Sequence, residues 1–496
     1  SGGSRVHAWL ASQFDEIPID GLVFFRILWG LLITYELVTY VVNDFSKLHR
    51  SFLEPQILFK YELLEWAQLP SDTDAALNRS ILEAVVSSLV VSGVFVTIGF
   101  MYRLAAVHLC VGFVYLYALD AALYLNHFYL IAVFLVLLVF LPANRAFSID
   151  AWLIWPRWHS STMPRWVQTL LRFEQVLVYT YAGIAKINED WLRAHPLLPW
   201  FSHYAQRQSN LFYYLCPLDA EPLIWYFAYG GIVYDLTIGF LLLFDRTFKF
   251  AIAASIYFHL LNKLIMNIGI FPWVMLASLT LFLRSDWPRH TVALVRRSFQ
   301  VLVPPNATSL LEDDHNDVAV AAAKNPNKPF VVATPRERPR HFPPLPSVAS
   351  RTRLRSRSAR LSRAELLVLL LLLAFALHQL LVPLRHWLYR LDGRPNNVAW
   401  DECGHRYSWR MKLRDKFCSL SMVAVDRETN TSITVDAASF LYGKQIKIKS
   451  RPDLVVQLAH YVADYAVDKA YVNTRPEIYA SSSCSLNVRA RAHNNT

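Results

Sequence analysis

Nine apolar stretches, at roughly 21–43, 81–100, 103–123, 128–143, 166–187, 222–244, 249–268, 270–283 and 364–385, leave this chain few ways to fold. A bilayer accommodates such runs as helices, because helices satisfy their backbone hydrogen bonds internally. With 54% hydrophobic and 18% charged residues, the expected fold is a polytopic α-helical membrane protein with about nine transmembrane helices. A small α+β domain is expected after the last span.

Lysine and arginine set the orientation. Between Arg284 and Arg363 there are 15 Lys and Arg against 6 Asp and Glu, so this segment holds +9 of the chain's net +11. The positive side is cytosolic, and nine spans then place the carboxy terminus in the lumen or outside the cell. The expected organisation is a cytosolic segment over 1–20, a helical bundle over 21–283 and a basic, largely disordered cytosolic loop over 284–363. A last transmembrane helix over 364–387 leads to a lumenal α+β domain over 388–496. The basic stretch flanks a span without any base-stacking module, so membrane lipid is an expected partner and nucleic acid is not.

Ionisable residues inside spans are costly and mark either structure or chemistry. Arg26, near the cytosolic end of the first span, reads as a snorkelling residue. Lys186 closes the fifth, behind Ala182-Gly183-Ile184-Ala185, small residues that let a helix or flat ligand come close. It is either an interfacial anchor or a lysine kept neutral in an apolar pocket so that it acts as a base. Arg172, Tyr179 and Lys186 recur every seven residues and share one helix face, which favours the second reading. Asn126 and His127 open the fourth span at a similar depth. In the seventh, His259, Asn262 and Met266 share a face. Asp235, near the centre of the sixth, needs a partner and marks an ion pair or a site. Lys186, His127, His259 and Asn262 are expected to converge on one cavity, with Tyr179 and Asn126 beside it.

In the terminal domain, strands are expected near 406–414, 417–426, 431–435 and 476–490, with a helix near 453–469. Of the five cysteines, Cys403 and Cys418 are the expected pair if one forms. No spacing signals a metal site. Asn430 is the best-placed glycosylation sequon, whereas Asn306 falls in the cytosolic loop.

From about Ile17 to Ser485, apart from the 284–363 loop, the chain resembles the vitamin K-dependent gamma-carboxylase family. The carriers are Asp20 to Gly30, Asp120 with Asn126-His127, Ala182-Gly183 through Lys186 to Asp190-Trp191, Asp235-Leu236 with Gly239-Phe240, and Tyr257-Phe258-His259 with Asn262. Trp400-Asp-Glu-Cys-Gly-His-Arg-Tyr-Ser-Trp-Arg-Met411 and Pro476-Glu-Ile-Tyr479 complete the set. The resemblance implies a multi-pass endoplasmic-reticulum protein in which reduced vitamin K (the hydroquinone) is a cosubstrate with O2 and CO2, and no metal is needed. Oxygenation to the epoxide then drives γ-deprotonation of a glutamate-containing protein or peptide, which captures CO2. On the family's pattern Lys186 is the catalytic base, with His127 assisting. Asn126 and His259 hold the quinone, and Tyr179 and Asn262 are expected to join them. The segment Gly404, His405, Arg406, Tyr407, Ser408, Trp409 and Arg410 matches the glutamate-binding region, with Arg406 or Arg410 expected near the carboxylate. An epoxidase uncoupled from carboxylation and a non-enzymatic quinone- or lipid-binding protein stand as alternatives.

Overall fold

The structure is a computed structural model that describes residues 2–62, 64, 75–197, 200, 201, 221–266, 268–302, 361–391, 394, 395, 397–469, 471, 472, 474–487 and 492–495. Helices form where the sequence runs apolar. After a short α1 (Gly2–Ser12) come α2 (Asp20–Val41), α3 (Ser46–Phe52), α4 (Ala75–Ile98), α5 (Tyr102–Ala118) and α6 (Asn126–Phe140). Then follow α7 (Arg165–Lys186), α8 (Glu221–Leu241), α9 (Asp245–Ile265), α10 (Phe271–Leu279), α11 (Trp287–Leu302) and α12 (Arg363–Leu381). Among the described residues, five helices (α2, α4, α8, α9 and α12) are long and apolar enough to cross a membrane. The helices α5, α6 and α10 are apolar but shorter, and α7 carries Arg172, Glu174 and Lys186. Most of the basic loop, and the aromatic segment beyond Phe201, lie outside the described residues, as does Asn306.

Arg26 is not a snorkelling residue. It is fully buried, and its guanidinium donates to Ala143 O at 2.9 Å, Phe147 O at 2.7 Å and Thr97 O at 3.3 Å. Those carbonyls belong to helix ends and turns that lack intrahelical donors, and a buried arginine supplies them.

The terminal domain is an antiparallel sheet in the order β2-β1-β3-β4, built from β1 (Lys416–Asp426), β2 (Thr431–Val435), β3 (Glu477–Leu486) and β4 (Ala492–Asn495). Helix α13 (Pro452–Asp468) packs Leu454, Leu458 and Val462 into one core with Met422. Phe59, Tyr61, Ala121 and Ala122 from the bundle side complete that core, so the domain docks on the end of the bundle. Polar contacts fix the docking. Gln445 Nε2 donates to Asp120 Oδ2 at 2.9 Å, and Asn487 Nδ2 to Asp190 Oδ2 at 2.8 Å.

Two expectations here are corrected. The 406–414 stretch is not a strand, because Tyr407, Trp409 and Lys412 have φ of 59°, 53° and 49°, which no extended backbone allows. Cys418 pairs with Cys484, not Cys403, because the register of β1 on β3 sets the two directly opposite. The disulfide closes a loop across a sequence separation of 66 residues. Cys418→Ser is expected to cost the domain about 2–4 kcal/mol, measured as a lower Tm. An unchanged Tm would show that the loop is already constrained by its docking.

Candidate active site

The helices α7 and α8 meet along a seam of small residues. A Cβ on Gly183 would fall 2.8 Å from Leu236 Cγ and one on Gly239 would fall 3.1 Å from Val176 Cα, so glycine sets the helix separation. That approach brings Lys186 against Asp235, 49 positions later, and Lys186 Nζ donates to Asp235 Oδ2 in an ion pair. Both side chains are buried. Lys186 Nζ also lies 5.4 Å from the Trp191 ring centroid, and Trp191 is fixed by Nε1 donating to Ala228 O at 2.9 Å. Lys186 thus meets a carboxylate inside the protein and is not an exposed side chain.

Next to Asp235, Tyr234 leads into a second group. Tyr179, on the same α7 face as Lys186, shares a 2.7 Å hydrogen bond with His259 Nε2, and the Tyr234 hydroxyl stands 3.5 Å from that nitrogen. His259 Nδ1 is buried without a hydrogen-bond partner among the described residues. Phe271 adjoins both histidines, its ring centroid 6.0 Å from that of His127 and 6.5 Å from that of His259. Four expected residues thus fall into two linked clusters: Lys186 with Asp235, and Tyr179 with His259, the latter reaching His127 across Phe271. Asn126 instead binds the terminal domain, Nδ2 donating to Arg410 O at 3.1 Å. Asn262 donates to Phe258 O at 3.0 Å one turn back, and no hydrogen bond among the described residues ties it to the others.

The Gly404–Arg410 segment divides by role. Gly404 has φ of +77°, and a Cβ there would meet His386 Cβ at 2.6 Å, so the turn requires glycine. Tyr407 N–H donates to Tyr124 Oη at 2.6 Å, and Trp409 is buried in the bundle core 4.9 Å from Tyr129, ring to ring. Ser408 Oγ donates to Gly404 O at 2.5 Å. These three residues hold the segment in place. Arg406 is already committed to Asp453, 2.7 Å away.

His405 and Arg410 are different. They line a cavity of about 120 Å³ between the loop after α7 and the terminal domain, together with Asn188, Asp190, Arg414 and Asn487. Arg414 is held by Val398 O, Ala399 O and Glu402. The Arg410 guanidinium has no hydrogen-bond or ion-pair partner among the described residues. Burial, then the Arg414 charge, lower it to about 10. Burial, followed by the Arg414 and Arg410 charges, pushes the His405 imidazole well below its ordinary value, so it is neutral near pH 7.

Sequence reasoning missed Tyr234, Phe271 and Asn487, and left Asp235 without a partner. Asp235 alone carried a signal, its cost at mid-span.

The HTTM domain family matches residues 14–287, and the family described as vitamin K-dependent gamma-carboxylase, lumenal domain, matches residues 364–494. No solved structure matches the chain.

Proposed function

Since this chain belongs to the vitamin K-dependent gamma-carboxylase family, we propose that it carboxylates peptidyl glutamate with reduced vitamin K as cosubstrate. One observation carries the reading. A buried Lys186–Asp235 pair beside a Tyr179–His259 network lies in the bundle, and a cavity with an uncommitted guanidinium lies where the terminal domain docks.

The residues present fit a hydroquinone. His259 Nδ1 is an orphaned buried polar atom, two tyrosine hydroxyls adjoin the ring, and Phe271 offers an aromatic face. Reduced vitamin K, when bound, supplies the electrons that O2 takes up and thereby the base strong enough for a glutamate γ-proton. Lys186 Nζ accepts a hydroxyl proton only after releasing its own, and Asp235 Oδ2, already hydrogen-bonded to it, is the acceptor within reach. The pair therefore moves a proton between two named atoms inside a buried site. His259 and His127 orient polar groups across the Phe271 ring, and Tyr179 fixes the His259 ring. Arg410 takes the glutamate carboxylate, for which its planar fork is suited. The Asn126 bond to Arg410 O couples this segment to the helix that carries His127.

An endoplasmic-reticulum membrane location with the terminal domain in the lumen is part of the proposal. The Cys418–Cys484 disulfide supports an oxidising compartment, and Asn430 is exposed in the β1–β2 turn. The test is to load purified protein with reduced vitamin K and a glutamate peptide without oxygen, then admit O2 and labelled bicarbonate. Epoxide and fixed label should rise together. Epoxide without label would make it an uncoupled epoxidase; neither product would make it a binding protein.

A further inference from the structure

A second cavity, of about 490 Å³, opens where α2, α3 and α5 meet the terminal domain, and it shares no lining residue with the first. Its body is apolar: Leu37, Phe113, Leu116, Leu123 and Phe128 form the walls. Its volume falls in the range of roughly 300–1,000 Å³ typical of small-molecule sites. The charges gather at one side. Lys47 and Arg50 come from α3, Lys444 comes from the terminal domain, and Glu36 is the one carboxylate among the described lining residues, with Glu54 behind Tyr442.

Glu36 is already engaged, 3.0 Å from Lys47 Nζ. Lys444 has no hydrogen-bond or ion-pair partner among the described residues. Lys444 is exposed at the mouth of the cavity, where it, Lys47 and Arg50 set three cations against the one Glu36 carboxylate. An apolar slot ending in an excess of cations is complementary to a molecule with an apolar tail and an anionic head.

We infer that this cavity binds one acyl chain of an anionic amphiphile, with its head between Lys444 and the Lys47–Arg50 face of α3. Because α3 and Lys444 belong to the bundle side and the terminal domain respectively, the bound amphiphile bridges the two. The head chemistry, a carboxylate or phosphate ester, is common to a free fatty acid and an anionic phospholipid.

The test uses full-length protein, stripped of lipid in a nonionic detergent and titrated with the fluorescent fatty acid cis-parinaric acid. Saturable binding is expected. Displacement by oleate but not phosphatidylserine identifies a free acid, and the reverse identifies a membrane lipid. Oleyl alcohol, which keeps the tail and lacks the charge, should compete about tenfold less well or worse. Lys444→Glu should weaken binding about tenfold or more with an unchanged Tm. Should that variant fail to fold, Leu116→Trp, which fills the slot and keeps every charge, decides instead by abolishing binding. Equal competition by oleyl alcohol, undiminished binding by a folded Lys444→Glu or Leu116→Trp variant, or unsaturable binding would overturn the inference. Displacement by phylloquinone as effective as by oleate would also overturn it, by assigning the cavity to a neutral quinone.

Discussion

Lys186→Arg is expected to fold like the parent protein and to form neither epoxide nor carboxylated peptide. The arginine keeps a cation against Asp235, so the buried pair survives, but a guanidinium does not give up its proton near neutral pH. The loss should match removal of a general base, about 10²–10⁴-fold in kcat. Lys186→Ala should be equally inactive and also less stable, because it leaves Asp235 buried without a partner. Breaking one side of a buried pair costs about 3–5 kcal/mol. Removing both charges in a Lys186→Met/Asp235→Leu variant should recover most of that stability and none of the activity. Small primary amines should restore part of the rate to Lys186→Ala by replacing both the proton acceptor and the cation that Asp235 has lost. Epoxide at the parental rate from Lys186→Arg would make the lysine a structural cation and leave His259 as the leading base. The arginine variant is decisive because it separates charge from proton transfer, which alanine cannot do.

How far these sites were legible depends on the range of the contacts that make them. The apolar runs of α2, α4 and α12 announce helices without tertiary information, because only helices hide such backbones. The shared face of Tyr179 and Lys186 follows from the helical repeat. Asp235 was legible as a residue needing a partner, yet nothing local says that the partner lies 49 positions earlier. The same limit misassigned Cys418, whose partner is set by the β1–β3 register 66 residues away. The 406–414 stretch failed for another reason. Arg-Tyr-Ser-Trp-Arg-Met alternates as a strand does, but Tyr407 and Trp409 are pulled toward the bundle and the backbone turns through positive φ to follow them. Arg26 read as snorkelling because a sequence shows the cost of a charge, not the carbonyls that meet it.

The choice between Arg406 and Arg410, open in the sequence, becomes a prediction with opposite signatures. Arg410→Met should raise the KM for a glutamate peptide by about 10- to 100-fold, the weight of a charge-assisted hydrogen bond to a carboxylate. Epoxidation without peptide should stay near the parental rate, since Arg410 lines the cavity at the docking face and contacts neither Lys186 nor His259 in the described structure. Arg406→Met acts elsewhere. It removes the 2.7 Å pair with Asp453, a partly exposed contact worth about 1 kcal/mol or less, so it should lower Tm slightly and move KM little. Arg410→Lys is the sharper control, because it keeps the charge and loses the planar fork; an intermediate KM would point to bidentate recognition. Equal damage to epoxidation and peptide use by Arg410→Met would show that the residue holds the domain against the bundle, through the segment that Asn126 binds, and not the substrate. With a parental KM for that variant, the carboxylate would have to be held by other groups in the same cavity, of which Arg414 is already taken by Glu402 and two carbonyls. Asn188 Nδ2 is likewise given to Ala185 O and Asn487 Nδ2 to Asp190, which leaves a neutral His405, Asn397 and Trp400 as the side-chain donors among the described lining residues, a weaker set that predicts a peptide site without strong preference for the ionised side chain.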